Sequence, residues 1–210
     1  MLALVPAAIA VATSEVSAHR RDELLQAARI AIEPERVELE LDLTPGIAIA
    51  DAFIADLDHD RDGLLSSEEQ QAYVTSVLAA LELQVDRQAL RVTSIESTFP
   101  ALDAFRTGAG VIRVRGEADL PPLSSGSHAL SFQNRHRTDV SVYLANALVP
   151  ESDRVEINAQ HRDREQRDLT IDYALRAAAP PIRLWLVAVP LSAALLLRHL
   201  AAVRGSPDAA

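Results

Sequence analysis

The sequence predicts a mainly β protein of the α+β class. The expected form is an antiparallel β-sandwich with one inserted helix–loop–helix and a C-terminal transmembrane helix. Three observations predict it. Through most of the chain, apolar and polar residues alternate with a period of two, as strands with one buried face require. From Ile47 to about Ala80 the period turns helical around a short acidic stretch. Near the end, Leu184 to Leu197 is an apolar run of 14 residues without a charge or a polar face.

The N-terminal stretch "MLALVPAAIAVATSEVSAHRRDE" opens with an apolar run from Leu2 to Ala12 and reaches the small residues Val16-Ser17-Ala18. This predicts a signal peptide over residues 1–18, cleaved before His19, although no positive charge precedes the apolar run. The exported body is then residues 19–178. "RVELELDLT" (Arg36 to Thr44) places Val37, Leu39, Leu41 and Leu43 on one face and Glu38, Glu40 and Asp42 on the other. With "ARIAIEPER" before it, a hairpin is expected. "LELQVDRQALRVTSIES" reads as a second hairpin turning near Asp86-Arg87, and "GVIRVRGEA", "HALSFQNRH", "VSVYLANALV", "VEINAQHR" and "LTIDYAL" read as further strands. About nine short strands between turn-rich joints suggest a sandwich.

The insert, expected over residues 47–80, surrounds "DHDRDGLLSSEE" (Asp58 to Glu69). Clustered carboxylates repel one another, so they need either solvent or a cation. A twelve-residue calcium loop takes oxygen ligands at positions 1, 3, 5, 7, 9 and 12, with glycine at 6 for the sharp turn. Counted from Asp58, these are Asp58, Asp60, Asp62, the Leu64 carbonyl, Ser66 and Glu69, with Gly63 at the sixth position. Leu65 follows as an apolar residue free to pack inward. The flanks agree: Ala50, Phe53, Ile54 and Leu57 lead in at helical spacing, and Tyr73, Val74 and Val77 lead out, with Gln70 the one polar break. Ser66 or Ser67 is placed to cap the second helix. The stretch from Ala50 to Val77 resembles the EF-hand family. The resemblance implies Ca2+ as the bound ion. The chain shows no second such loop, and Met1 is its one methionine, so a structural site of modest affinity is expected rather than a paired sensor.

Composition narrows the remaining chemistry. A net charge of −10 argues against nucleic acid as a partner. All 20 basic residues are arginine, which leaves no lysine base or Schiff-base chemistry, and the absence of cysteine removes thiol nucleophiles and thiolate metal sites. "SSGSH" (Ser124 to His128) lacks the spacing of a nucleophile elbow, and "GAG" at Gly108 lacks the length of a phosphate loop. No enzyme is expected. An alternative role is transition-metal handling, with nickel or copper held by His19 at the mature N-terminus together with His128, His136 and His161.

At the C-terminus, 14 residues give about 21 Å of helix, short of a hydrocarbon core of about 30 Å. If Arg198 snorkels and the helix runs on to Val203, the span suffices. Residues 182–203 are therefore expected to anchor the chain in the cell membrane by a single pass, with residues 204–210 as a cytoplasmic tail and the body outside. The exported part also resembles bacterial extracytoplasmic domains associated with nickel/cobalt and hydrogenase/urease-accessory type permeases. The likeness is carried by Ala18-His19, "RVELELDLTPG" and "NRHRTDVSVYLANALVP" (Asn134 to Pro150). It implies a metal permease as a membrane partner and an accessory role, since one candidate membrane helix offers no transport pathway.

Overall fold

Alternation becomes burial along the first two strands. In the computed structural model, which describes residues 22–178, β1 (Leu24–Ile32) and β2 (Arg36–Pro45) bury every second residue. They pair antiparallel through the Glu33–Glu35 turn, as the sequence predicts. Glu38, Glu40 and Asp42 face outward, where a row of carboxylates would repel itself. Neighbouring strands supply the counter-charges: Arg29 bonds Glu40 at 3.0 Å and Asp42 at 3.1 Å, and Arg115 bonds Glu96 at 3.1 Å beside Glu40. Such exposed pairs contribute little singly, and their main effect is to make this face of the sheet tolerable.

The chain then leaves the sheet through a short 3-10 turn at Ile47–Ile49. It forms α1 (Ala50–Leu57) and α2 (Ser67–Ala79) and returns as β3 (Leu81–Val85) and β4 (Gln88–Leu90). The β3–β4 turn falls on Asp86 and Arg87, with φ of 49° and 71°, the left-handed pair that a two-residue hairpin needs. The rest of that stretch does not stay with the hairpin. β5 (Thr93–Thr98) crosses to the first sheet, and a five-residue helix α3 (Leu102–Arg106) follows. β6 (Ile112–Asp119), β7 (Gly126–Asn134), β8 (Ser141–Ala147), β9 (Val155–Arg162) and β10 (Asp168–Leu175) complete the described elements.

These strands make two five-stranded sheets, ordered β5-β6-β2-β1-β8 and β4-β3-β7-β10-β9. The protein is mainly β, and the inner faces of both sheets contribute to one continuous apolar core. The expectation of a wholly antiparallel arrangement is corrected at one place: β8 runs parallel to β1, from Leu24 beside Ser141 to Ile30 beside Ala147. The physical reason is the route of the chain. β7 lies in the second sheet, so β8 arrives by a crossover between sheets rather than by a hairpin, and nothing then obliges it to run against its neighbour.

The helices belong to the same core. Ala50, Phe53, Ile54 and Leu57 of α1 and Tyr73, Val74 and Val77 of α2 are all buried in it. Phe53 meets Phe105 of α3 edge-on at 5.3 Å and Tyr73 at 5.8 Å, and Tyr73 meets Phe99 at 6.2 Å. The predicted signal peptide (1–18), His19 and the predicted membrane anchor (182–203) and tail lie outside the described residues. Among the described residues, no helix is long and apolar enough to cross a membrane.

Phe105 is fully buried at one end of this aromatic run, against Phe53. Phe105→Ala is expected to lower unfolding stability by about 3–5 kcal/mol, the usual result of deleting a large core side chain. Urea unfolding with an unchanged m-value checks it.

Candidate functional site

The acidic loop is a connector whose ends are held by helices. α1 ends where Asp58 turns out of helical geometry, at φ −89° and ψ 86°, while its N–H still bonds the Ile54 carbonyl. α2 begins at Ser66 with a capping box. The Ser66 hydroxyl accepts from the Glu69 N–H at 3.3 Å, and the Glu69 carboxylate accepts from the Ser66 N–H at 2.9 Å. Gly63 has φ of 81°, which confirms the sharp turn expected at the sixth position. A Cβ there would touch nothing within 4 Å, so glycine is needed for its backbone and not for space. Leu65 packs against the core as expected, whereas the Leu64 side chain is exposed. Gln70, the polar break in the helical pattern, donates from Nε2 to the Leu65 carbonyl at 2.9 Å and so braces the loop.

Oxygen atoms of Asp58, Asp60 and Glu69 lie within 4.8 Å of one another. Asp58 is 5% exposed, a buried carboxylate at the base of the loop. Its two oxygens accept from the Asp62 N–H at 3.2 Å and the Gly63 N–H at 3.0 Å. Glu69 reaches across both ends of the loop, accepting from the His59 N–H at 2.7 Å and from the backbone and hydroxyl of Ser66. Asp62 stands outside the three-carboxylate group, its Oδ1 accepting from the Leu64 N–H at 2.8 Å. Of the six sequence-predicted ligands, then, three converge, Asp62 and Leu64 lie in the same turn, and Ser66 adjoins Glu69.

Charge in this loop is opposed by backbone dipoles rather than by cationic side chains. Among the described residues, no ion pair reaches Asp58, Asp60, Asp62 or Glu69. The Ser66 N–H, its hydroxyl and the His59 N–H hold the Glu69 pKa below the ordinary glutamate value. At Asp60 the Asp62 N–H pulls the same way, but desolvation and the charges of its neighbours outweigh it and raise the pKa. Asp60 thus stands in the negative field of Asp62 and Glu69 with no cation beside it. Oxygen-only donors with no nitrogen or sulfur ligand suit a hard divalent cation.

The histidines do not join this group, and among the described residues they form no metal-binding cluster with one another. His128 has Asp86 Oδ2 2.7 Å from Nδ1 and the Ser124 carbonyl 2.8 Å from Nε2. Burial lowers its pKa, but these two acceptors outweigh burial and raise it. His161 lies 3.2 Å from Asp172 on the exposed face of β9. His136 is buried: it is 7% exposed, its Nε2 3.3 Å from the Tyr73 hydroxyl. Burial, reinforced by Arg137, pushes its pKa down to about 4. The polar cluster around it, with Gln26 and Asn134, is the part of this region that alternation could not reveal. Gln26 occupies an inward position on β1, and that mismatch in the pattern was its only signal.

The chain matches no family model, no curated protein and no solved structure, so the loop itself carries the functional reading.

Burial of neutral His136 gives a signed pH dependence. Between about pH 6.5 and 4 the unfolded chain binds a proton there that the folded chain refuses, so stability falls as pH falls through that window. The slope from this residue approaches about 1.4 kcal/mol per pH unit. His136→Phe keeps a ring against Tyr73 and is expected to remove that component, read as melting temperature against pH for both proteins. At the cap, Ser66→Ala is expected to cost about 1 kcal/mol of stability in chelator, measured by denaturant titration.

Proposed function

We propose that the loop from Asp58 to Glu69 binds one calcium ion, as a single EF-hand inserted in a β-sandwich, and that the protein is a non-enzymatic binding module. The observation that carries this reading is the convergence of Asp58, Asp60 and Glu69 on one point, at the first, third and twelfth positions of a twelve-residue calcium loop. Asp62, the Leu64 carbonyl and Ser66 complete the proposed ligand set. Buried flanks at helical spacing and a left-handed Gly63 support it.

The site is structural rather than sensory in this reading. The apolar faces of α1 and α2 already pack on Phe99, Phe105 and the sheets, so calcium has no closed groove to open. An affinity of about 10⁻⁴–10⁻³ M, usual for extracellular modules, fits that role. The predicted leader and the apolar segment 182–203 support an exported body anchored by one pass, with the proposed metal permease as membrane partner.

At 1 mM calcium and a Kd of about 0.1 mM, binding adds about 1.4 kcal/mol of stability. Glu69→Gln removes the bidentate carboxylate and is expected to abolish that gain while leaving the far-ultraviolet circular dichroism unchanged. The same calcium-dependent rise in melting temperature in the variant and the wild type would overturn the assignment.

A further inference from the structure

The turn of residues 135–140, between β7 and β8, touches both helices that flank the loop. Its base is locked. The His136 carbonyl accepts from Gln26 Nε2 at 2.6 Å, the Tyr143 hydroxyl at 2.8 Å and the Ser141 hydroxyl at 3.4 Å. The His136 N–H donates to Asn134 Oδ1 at 2.9 Å, and Asn134 Nδ2 donates to Gln26 Oε1 at 3.0 Å. Gln26, Asn134 and His136 are buried, so this polar cluster is satisfied away from water and is correspondingly stiff.

From that base, three contacts reach the helix pair. The Arg135 N–H donates to the Ala80 carbonyl at the end of α2, at 2.9 Å. The His136 ring stands edge-on to Tyr73 of α2, centroids 5.6 Å apart. Arg137 Nη1 bonds Asp56 Oδ2 at 2.6 Å, in the last turn of α1. Tyr73 lies one helical turn after Glu69, and Asp56 lies two residues before Asp58. Arg137 also has φ of 53°, a left-handed conformation that costs a residue with a side chain. Glycine would hold this corner more comfortably but could not reach α1.

We propose that Arg137 and His136 are positioning residues for the acidic loop: by gripping α1 and α2 from one rigid turn, they set the separation of Asp58 from Glu69. The inference rests on the calcium reading of that loop. A cation gripped by both ends of the loop senses their spacing directly, because ligand placement must hold within a fraction of an ångström. Loosening the Arg137–Asp56 link frees the last turn of α1, and Asp58 with it.

The test is calorimetric calcium titration of the full chain as wild type, Arg137→Gly, Arg137→Lys, Asp56→Asn and the double variant Arg137→Gly/Asp56→Asn, with the melting temperature of each in chelator. Arg137→Gly is expected to weaken calcium binding about threefold to tenfold. Its melting temperature in chelator should be held or raised, because glycine adopts the left-handed backbone without strain. Arg137→Lys should recover most of the affinity, and the double variant Arg137→Gly/Asp56→Asn should lose no more than the larger single loss. Unchanged affinity in both Arg137→Gly and Asp56→Asn, beside a wild type that binds one calcium, would overturn the positioning role alone. So would an affinity that falls only in step with melting temperature. A wild type that takes up no calcium would overturn the calcium reading and this inference with it.

Discussion

Carboxylates packed into a twelve-residue loop stay together only if something stiffer than the loop holds its ends. Here that stiffness comes from burial. α1 is just eight residues and α2 thirteen, lengths at which isolated helices are marginal in water. They persist because one face of each is part of the core shared by both sheets, with Phe53 and Tyr73 set edge-on to each other and to Phe105 and Phe99. Asp58 directly follows the buried Leu57, and Glu69 lies one helical turn before the buried Tyr73, so the core constrains where both carboxylates stand.

Magnitudes show why the frame can carry the loop. Two like charges near 4 Å repel by about 1 kcal/mol in water and about 4 kcal/mol at the effective dielectric of a protein surface. Burying one large apolar side chain contributes about 1.5–3 kcal/mol, and the helix pair buries seven apolar residues: Ala50, Phe53, Ile54, Leu57, Tyr73, Val74 and Val77. The loop also answers its own charge locally, since the N–H groups of His59, Asp62, Gly63, Leu64 and Ser66 all donate to its carboxylates. In the proposed reading, calcium adds a modest increment to a frame that stands without it.

Much of this was legible in the residues because it was local. Alternation marked β1 and β2, and the spacing of Asp58, Asp60, Gly63 and Glu69 marked the loop together with its buried flanks. What escaped was long-range or too short to have a period. Five residues, Leu102–Arg106, cannot display helical spacing, so α3 passed unseen although Phe105 is fully buried against Phe53. "LELQVDRQALRVTSIES" was one hairpin by pattern, yet only Leu81–Leu90 pairs that way, because β5 finds its partner β6 in the other sheet. The direction of β8 depends on a crossover between sheets that no local pattern encodes. His136 lies between two arginines, and its burial rests on Gln26 and Asn134, more than a hundred positions apart in the chain.

In the proposed reading a prefolded frame holds the loop, and a cation orders the loop without moving the frame. Amide hydrogen exchange of the full chain, with calcium and with chelator, tests it most directly. Protection is expected to rise with calcium over residues 58–69 and the first turn of α2, while β1, β2, β7 and β10 exchange equally slowly in both. Loss of protection throughout the sheets on chelation would contradict it, and so would faster exchange around Phe99 and Phe105 when calcium is added.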